Sequence, residues 1–278
     1  MATPPATRRQ PFPALQTCGK KVFPFRLACP SFVYPAGYVD NVRRLAPFVD
    51  EIELLCFESR FADSLPSPAL VRELAHLAQA VDITYNVHLP TDIHVGHADA
   101  GVRQRAVDVL RRFIERTRAL APTTYTLHLM QSEPETDTRG WQARTVQSLE
   151  ALLETGLTGR CISVENLDYD FALAAPIVEQ LDLSVCMDMG HLMAHEADLG
   201  AFYTNWRERI AMIHLHGVDG TRDHLPLDRL TPAHRDAVMH ILKQYAFTVS
   251  LEVFAVEALN ASLNHLAEQW RKQKAERG

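Results

Sequence analysis

The stretch CISVENLDYDFALAAPIVEQLDLSVCMDMGH, residues 161–191, carries the reading that decides the fold. Two apolar runs, CISVENL (161–167) and LSVCMDMGH (183–191), flank a helical segment at 171–180. Strand, helix, strand in so short a span implies parallel strands joined by a right-handed crossover. Both runs end on metal-ligand chemistry: Glu165 in the first, Asp188 and His191 in the second.

Working outward, the same unit recurs. Apolar runs lie at 25–31, 51–58, 83–90, 124–130, 210–217 and 248–254. Helical periodicity falls between and after them, at 38–48, 67–81, 99–120, 139–155, 198–208, 231–245 and 257–274. Leu70, Leu74, Leu77 and Val81 mark one helix face, with Ser67 as its cap. Thr231-Pro232 pairs a cap with proline at the first helical position. Eight strand–helix pairs in strict alternation predict an α/β fold, a single (β/α)8 TIM barrel over residues 21–278. Residues 1–20, rich in proline, read as a flexible tail. No GxGxxG, P-loop, GxSxG or HExxH pattern occurs.

In such a barrel, chemistry gathers at the C-terminal mouth of the strands. His88, His128, Glu165, Asp188, His191, His214, His216 and Glu252 all sit late in their runs. Imidazole and carboxylate together suit zinc, manganese or iron. A lone late-strand histidine is more often structural. However, Glu165, Asp188 and Glu252 are each flanked by apolar residues, and buried carboxylates facing one centre repel without a cation. The joint pattern therefore predicts a metal-dependent enzyme. Glu58, Asp92 and Asn166, at or beyond strand ends, are candidate substrate contacts.

The composition narrows the alternatives. The chain has 278 residues, 47% hydrophobic and 22% charged, with a net charge of −6, so no basic footprint points to nucleic acid. The arginines of 103–118 fit an outer barrel surface. Five cysteines, an odd count with no CxxC, fit a reducing compartment. No signal-peptide core or membrane-length run is present, so a cytoplasmic location without membrane contact is expected. Oligomeric state is left open.

The series His88 (VHLP), His128 (LHLM), Glu165 (VENL), Asp188 with His191 (MDMGH), His214 (IHLHG) and Glu252 (LEVF) resembles the xylose isomerase-like barrel superfamily. That superfamily contains sugar isomerases and epimerases, inosose dehydratases and the endonuclease IV type of repair enzyme. The resemblance implies one metal on Glu165, Asp188, His214 and Glu252, and a second on His88 and His128 with Glu165 bridging. His191 and an Asp-x-His pair would hold a third. Here Asp223-His224 are adjacent instead, which leaves His224 as a ligand candidate and two ions as the expected count, zinc foremost.

The opening FRLACPSFVYPAGYVDNVRRLAPFVDEIELLCFES and the segment VHLPTDI are similar to the cobamide-remodelling phosphodiesterases. That likeness implies hydrolysis of the nucleotide loop of an adenosylated corrinoid, a small-molecule partner seated among the mouth loops 90–99, 130–140 and 217–230. Glu165, Glu252 and His216 are the catalytic candidates: His216, a departure from the family pattern, as hydrogen-bond donor or acid, and Glu165 or Glu252 as the proton carrier under the isomerase alternative. A single-metal sugar isomerase, epimerase or dehydratase is the alternative. An abasic-site endonuclease and a non-catalytic binding barrel follow.

Overall fold

Strand periodicity of two explains the barrel interior. In β1 (Arg26–Pro30) through β7 (Ile210–Leu215), aliphatic residues such as Leu27, Ile52, Val87, Leu127, Val164 and Ile213 alternate with small or polar ones. The intervening strands are β2 (Glu51–Leu55), β3 (Thr84–His88), β4 (Tyr125–Leu127), β5 (Ile162–Glu165) and β6 (Ser184–Asp188). After β7 come β8 (Gly217–Asp219), β9 (Arg222–Leu225) and β10 (Thr248–Leu251). The computed structural model describes residues 13–61, 63–131 and 137–275.

Strands β1 to β7 and β10 close into a parallel barrel, in sequence order around the ring. Closure runs through the pairs Arg26–Thr248, Leu27–Val249 and Ala28–Ser250. The aliphatic positions face the surrounding helices. These are α1 (Tyr38–Leu45), α2 (Pro68–Val81), α3 (Ala100–Thr117), α4 (Thr138–Leu153), α5 (Ala175–Gln180), α6 (Met189–Ala194), α7 (Leu199–Trp206), α8 (Pro232–Leu242) and α9 (Val256–Ala275). Ser67 Oγ accepts the Leu70 N–H at 3.2 Å, and Thr231 Oγ1 accepts the His234 N–H at 3.2 Å, so both expected caps are in place. No helix among the described residues is long and apolar enough to cross a membrane.

The polar positions turn inward and stack in layers. At the floor, Glu51 is fully buried; Asn86, Thr84 and Thr123 donate hydrogen bonds to it, and Arg26 pairs with it at 3.2 Å. Higher up, Thr124 and Ser163 share a hydrogen bond of 2.6 Å. The top layer is the histidine–carboxylate set.

Three features depart from the sequence expectations. Residues 13–20, assigned to a flexible tail, pack against the barrel: Leu15 is buried, and the Gln16 N–H donates to Asn260 Oδ1 of α9. Only 1–12 of that tail lie outside the described residues. Residues 217–225, expected as open loop, form the β8–β9 hairpin, with Gly220 at φ +59° in its turn. A short α6 starts directly at the end of β6. Part of the expected mouth loop 130–140, namely 132–136, lies outside the described residues.

Candidate metal centre

Each strand delivers its ligand-type residue at the same end. His88, Glu165 and Asp188 are the last residues of β3, β5 and β6. His128 and Glu252 directly follow β4 and β10, and His214 lies one residue before the end of β7. In-plane pairing sets Asp188 beside His214, and His214 beside Ser250.

The side chains converge on Glu165. Its Oε2 lies 3.1 Å from His128 Nε2, 3.3 Å from His88 Nε2 and 3.4 Å from His214 Nδ1. His88 Nδ1 lies 2.9 Å from the Leu89 carbonyl, a hydrogen bond that puts a proton on Nδ1, so in the neutral ring the lone pair is on Nε2. His214 Nδ1 also faces Glu252 Oε2 at 3.1 Å and Asp188 Oδ2 at 3.8 Å. Two ligand sets share Glu165: His88, His128 and Glu165; and Glu165, Asp188, His214 and Glu252. An overlapping group, Glu53, His88, His214 and Glu252, links them.

The MDMGH turn builds a third set. Asp188 Oδ1 accepts the His191 N–H at 2.7 Å, capping α6 and fixing where His191 stands. Gly190 lets the His216 imidazole pass; a Cβ there would sit 1.9 Å from the His216 ring. His224, at φ +49°, lies 4.3 Å from His216 between ring centroids, in stacked orientation. His191, His216 and His224 thus offer three nitrogens to one point. His216, and not Asp223, is the third member of this group. Asp223 Oδ2 stays 3.9 Å from His191 Nε2.

Burial lowers the His216 ring, but Asp188 overrules it and lifts it to about 9. In the neutral ring the His224 backbone N–H selects the tautomer, being nearer to Nδ1 than the Gly217 carbonyl at 3.3 Å. It points at His216 Nδ1 from 2.9 Å and requires a lone pair there. The neutral ring protonated on Nε2, 3.2 Å from Asp188 Oδ1, satisfies both contacts.

Divalent metal fits these residues on their own evidence. His214 Nδ1 and Nε2, Glu53 Oε1 and Glu252 Oε2 are buried atoms without a properly directed hydrogen bond. Glu53 and Glu252 approach His214 to 3.0 and 3.1 Å, but these are charge contacts whose angles miss a hydrogen bond. Leaving four such atoms unsatisfied is costly, and a cation removes the cost. Without one, burial raises Glu165, yet His214 and His128 overrule it and hold the carboxyl well below its usual range. Burial lowers His88, and Glu165 overrules it, lifting the ring to about 9. Cys186 also borders the cluster, grouped with Glu165 and His214, and without metal burial pushes its thiol up.

Glu53 went unrecognised in the sequence. It accepts the Ser250 hydroxyl at 2.6 Å and faces His214 Nε2 at 3.0 Å, orienting the ring so that Nδ1 meets the other carboxylates. The signal was there: Glu53 alternates with Ile52 and Leu54, which puts it inside. The expected substrate contacts fare differently. Asn166 is buried with its amide spent on Asp188, donating to the carbonyl at 3.0 Å and accepting the N–H at 2.8 Å. It positions Asp188 instead of facing solvent. Asp92 accepts the Ser59 N–H and hydroxyl at 2.8 and 3.0 Å, tying two mouth loops together. Glu58 pairs with Arg60 on the mouth.

An eight-stranded parallel barrel with metal-ligand sets at its mouth defines the class, and sequence and fold comparisons agree with it. The chain matches the xylose isomerase-like TIM barrel family over residues 42–274 and belongs to it. A D-tagatose 3-epimerase-like protein is similar in structure, with TM-score 0.76 and 17% identity over 91% of this chain and 99% of that one. Endonuclease IV from Thermus thermophilus gives TM-score 0.66 and 17% identity over 89% and 99%. The IOLI protein, solved with a zinc atom, gives TM-score 0.67 and 16% identity over 91% and 97%. No curated protein sequence gives a match.

Proposed function

We propose that this protein is a divalent-metal-dependent phosphodiesterase, and that its substrate is the nucleotide loop of an adenosylated cobamide. One observation carries the reaction class. A single carboxylate, Glu165, serves both the His88/His128 set and the Asp188/His214/Glu252 set. A lone-metal isomerase would leave the first set without an ion. Divalent ions held there supply Lewis-acid stabilisation of a phosphoryl group and a water made nucleophilic at neutral pH.

The chain's own residues supply the frame. Glu165 ties the two sets together, and Glu53 and Asn166 hold His214 and Asp188 in register. The tri-histidine set gives a third position within the same mouth, so the reading extends from two ions to three. His216, with Nδ1 engaged by the His224 N–H, presents only Nε2. With its proton on Nε2 the ring is a hydrogen-bond donor toward Asp188, and it joins a metal set only once Nε2 is bare. Zinc suits three imidazoles best. The similarity of the FRLACPSFVYPAGY opening to cobamide-remodelling enzymes supports the corrinoid substrate.

The test is incubation of metal-loaded protein with adenosylcobalamin, with products separated by liquid chromatography and identified by mass. A corrinoid lacking its nucleoside is expected, and its phosphate content locates the broken bond. Unchanged substrate, with metal verified in the protein, turns the reading to the second one. That second reading is a sugar epimerase using only Glu165, Asp188, His214 and Glu252. Three carboxylates in one four-ligand set, and structural neighbours that include epimerases, favour it. It predicts about one functional ion per chain and turnover of a ketose.

A further inference from the structure

Large exposed hydrophobic side chains are few among the described residues, and three of the five are phenylalanines at the mouth: Phe32, Phe61 and Phe254. Phe32 and Phe61 are 54% and 51% exposed, which a soluble surface tolerates poorly when they cluster. They border a groove of about 880 Å³ between the loops after β1 and β2, lined also by Tyr38, Leu55, Phe57 and Leu70. That volume lies at the upper end for small-molecule sites.

An aromatic path joins the groove to the metal centre. Phe32 meets Phe57 edge-on at 6.2 Å, Phe57 meets Phe254 at 5.8 Å, and Phe254 meets His224 at 4.9 Å. Asp40, Glu58 and Asp63 line it; Arg60 pairs with Glu58 and stands 5.1 Å over the Phe61 ring, and the balance of the rim stays acidic. The Tyr38 hydroxyl is already spent on the Leu55 carbonyl at 2.7 Å.

We infer that this groove seats the ring portion of the substrate while its phosphate lies at the metal centre. The occupant is a broad ring system with apolar faces and no negative charge, neutral or cationic. Aromatic faces stack on such rings, and the acidic rim repels a second phosphate. A free monosaccharide would leave most of the groove unfilled. This assignment rests on the phosphodiesterase reading and names Phe32 and Phe61 as specificity-determining residues.

The test titrates metal-loaded full-length protein with cobinamide, which carries the corrin ring but no nucleotide loop, by calorimetry. The wild type should bind, and Phe32→Ser/Phe61→Ser should weaken binding about tenfold or more through loss of two ring faces. Phe247→Ser, equally exposed where the chain enters β10, is the control and should bind as wild type. If the double variant melts early, Phe32→Ala alone replaces it. Undiminished binding by the variants overturns the inference, as does absence of binding by the wild type. A monomer–dimer shift on substitution, without cobinamide binding, would give the groove to a second copy of the chain. Adenosylcobalamin cleavage is scored separately. Cobinamide binding without cleavage removes the phosphodiesterase reading and leaves the groove; cleavage without cobinamide binding does the reverse.

Discussion

Single atoms decide most of what the centre does. His128 touches Glu165 through Nε2 alone, at 3.1 Å. We expect His128→Ala to lower phosphodiester turnover on the order of a thousandfold, several kcal/mol of charge stabilisation. Its melting temperature should stay within a few degrees. Wild-type turnover in this variant would remove the shared-carboxylate mechanism. Glu53 acts at one remove. Glu53→Gln should weaken metal affinity roughly 10- to 100-fold, the usual effect of losing a partner behind a ligand. A chelator competition assay reads this directly, and unchanged affinity would make Glu53 a filler of the barrel. At Gly190 the requirement is steric. Gly190→Ala should cost about 1–3 kcal/mol by overpacking against His216, seen as a lower denaturation midpoint. The late-strand histidines and carboxylates were legible in the sequence because each ends an apolar run. Glu53 was not, because it lies mid-strand, where only the inward phase of the pleat marks it. Asn166 was misjudged for a related reason: a polar residue beside a ligand reads as accessible until its two backbone partners are known.

At the level of elements, the hairpin has no counterpart in the alternation of strands and helices. Its β8–β9 pair carries His224 to His216, and the turn depends on Gly220 at φ +59°. Gly220→Val places a branched side chain in the left-handed region at about 1–2 kcal/mol. The expected outcome is one fewer ion per chain by elemental analysis, with the two Glu165-linked sets still filled. Full occupancy would show that the tri-histidine set does not depend on the hairpin. The Asp219-Gly220 dipeptide is the signal that could have revealed it. Helix α6 escaped notice because six residues are too few for a 3.6-residue period to show. The long helices were legible because their periods run for several turns and their caps are chemically explicit. The eightfold alternation then left one closed topology to choose.

For the whole molecule, stability and metal affinity should respond to pH in opposite senses. Without metal, Glu165 outweighs burial and holds His88 up to about 9, and the carboxylates around His214 lift it likewise. Raised groups stabilise fully below the ordinary histidine value near 6.5, and that contribution fades as pH climbs toward 9. Glu165, held low, stabilises above the ordinary carboxyl value near 4.5 and loses this as pH falls. Metal ligation requires bare imidazoles, so it strengthens as protons leave. Between about pH 6.5 and 9, the melting temperature should fall for chelator-treated protein and rise for protein in excess zinc. Parallel curves would deny these histidines their role as ligands. A last consequence comes from the segment 13–20. Gln16 and Thr17 hold α9 through Asn260 and Asn264, while the Lys20 ammonium donates to the carbonyls of Ala46, just beyond α1, and Val81, the last residue of α2. It crosses the seam where β1 meets β10, the one join in the barrel made between opposite ends of the chain. A cylinder assembled from a linear polymer unzips most readily along such a join. The segment works as a clasp over it, so trimming to residue 21 should bring hydrogen exchange at the β1–β10 amides forward ahead of the rest of the wall, and exchange that stays in step would deny it that part.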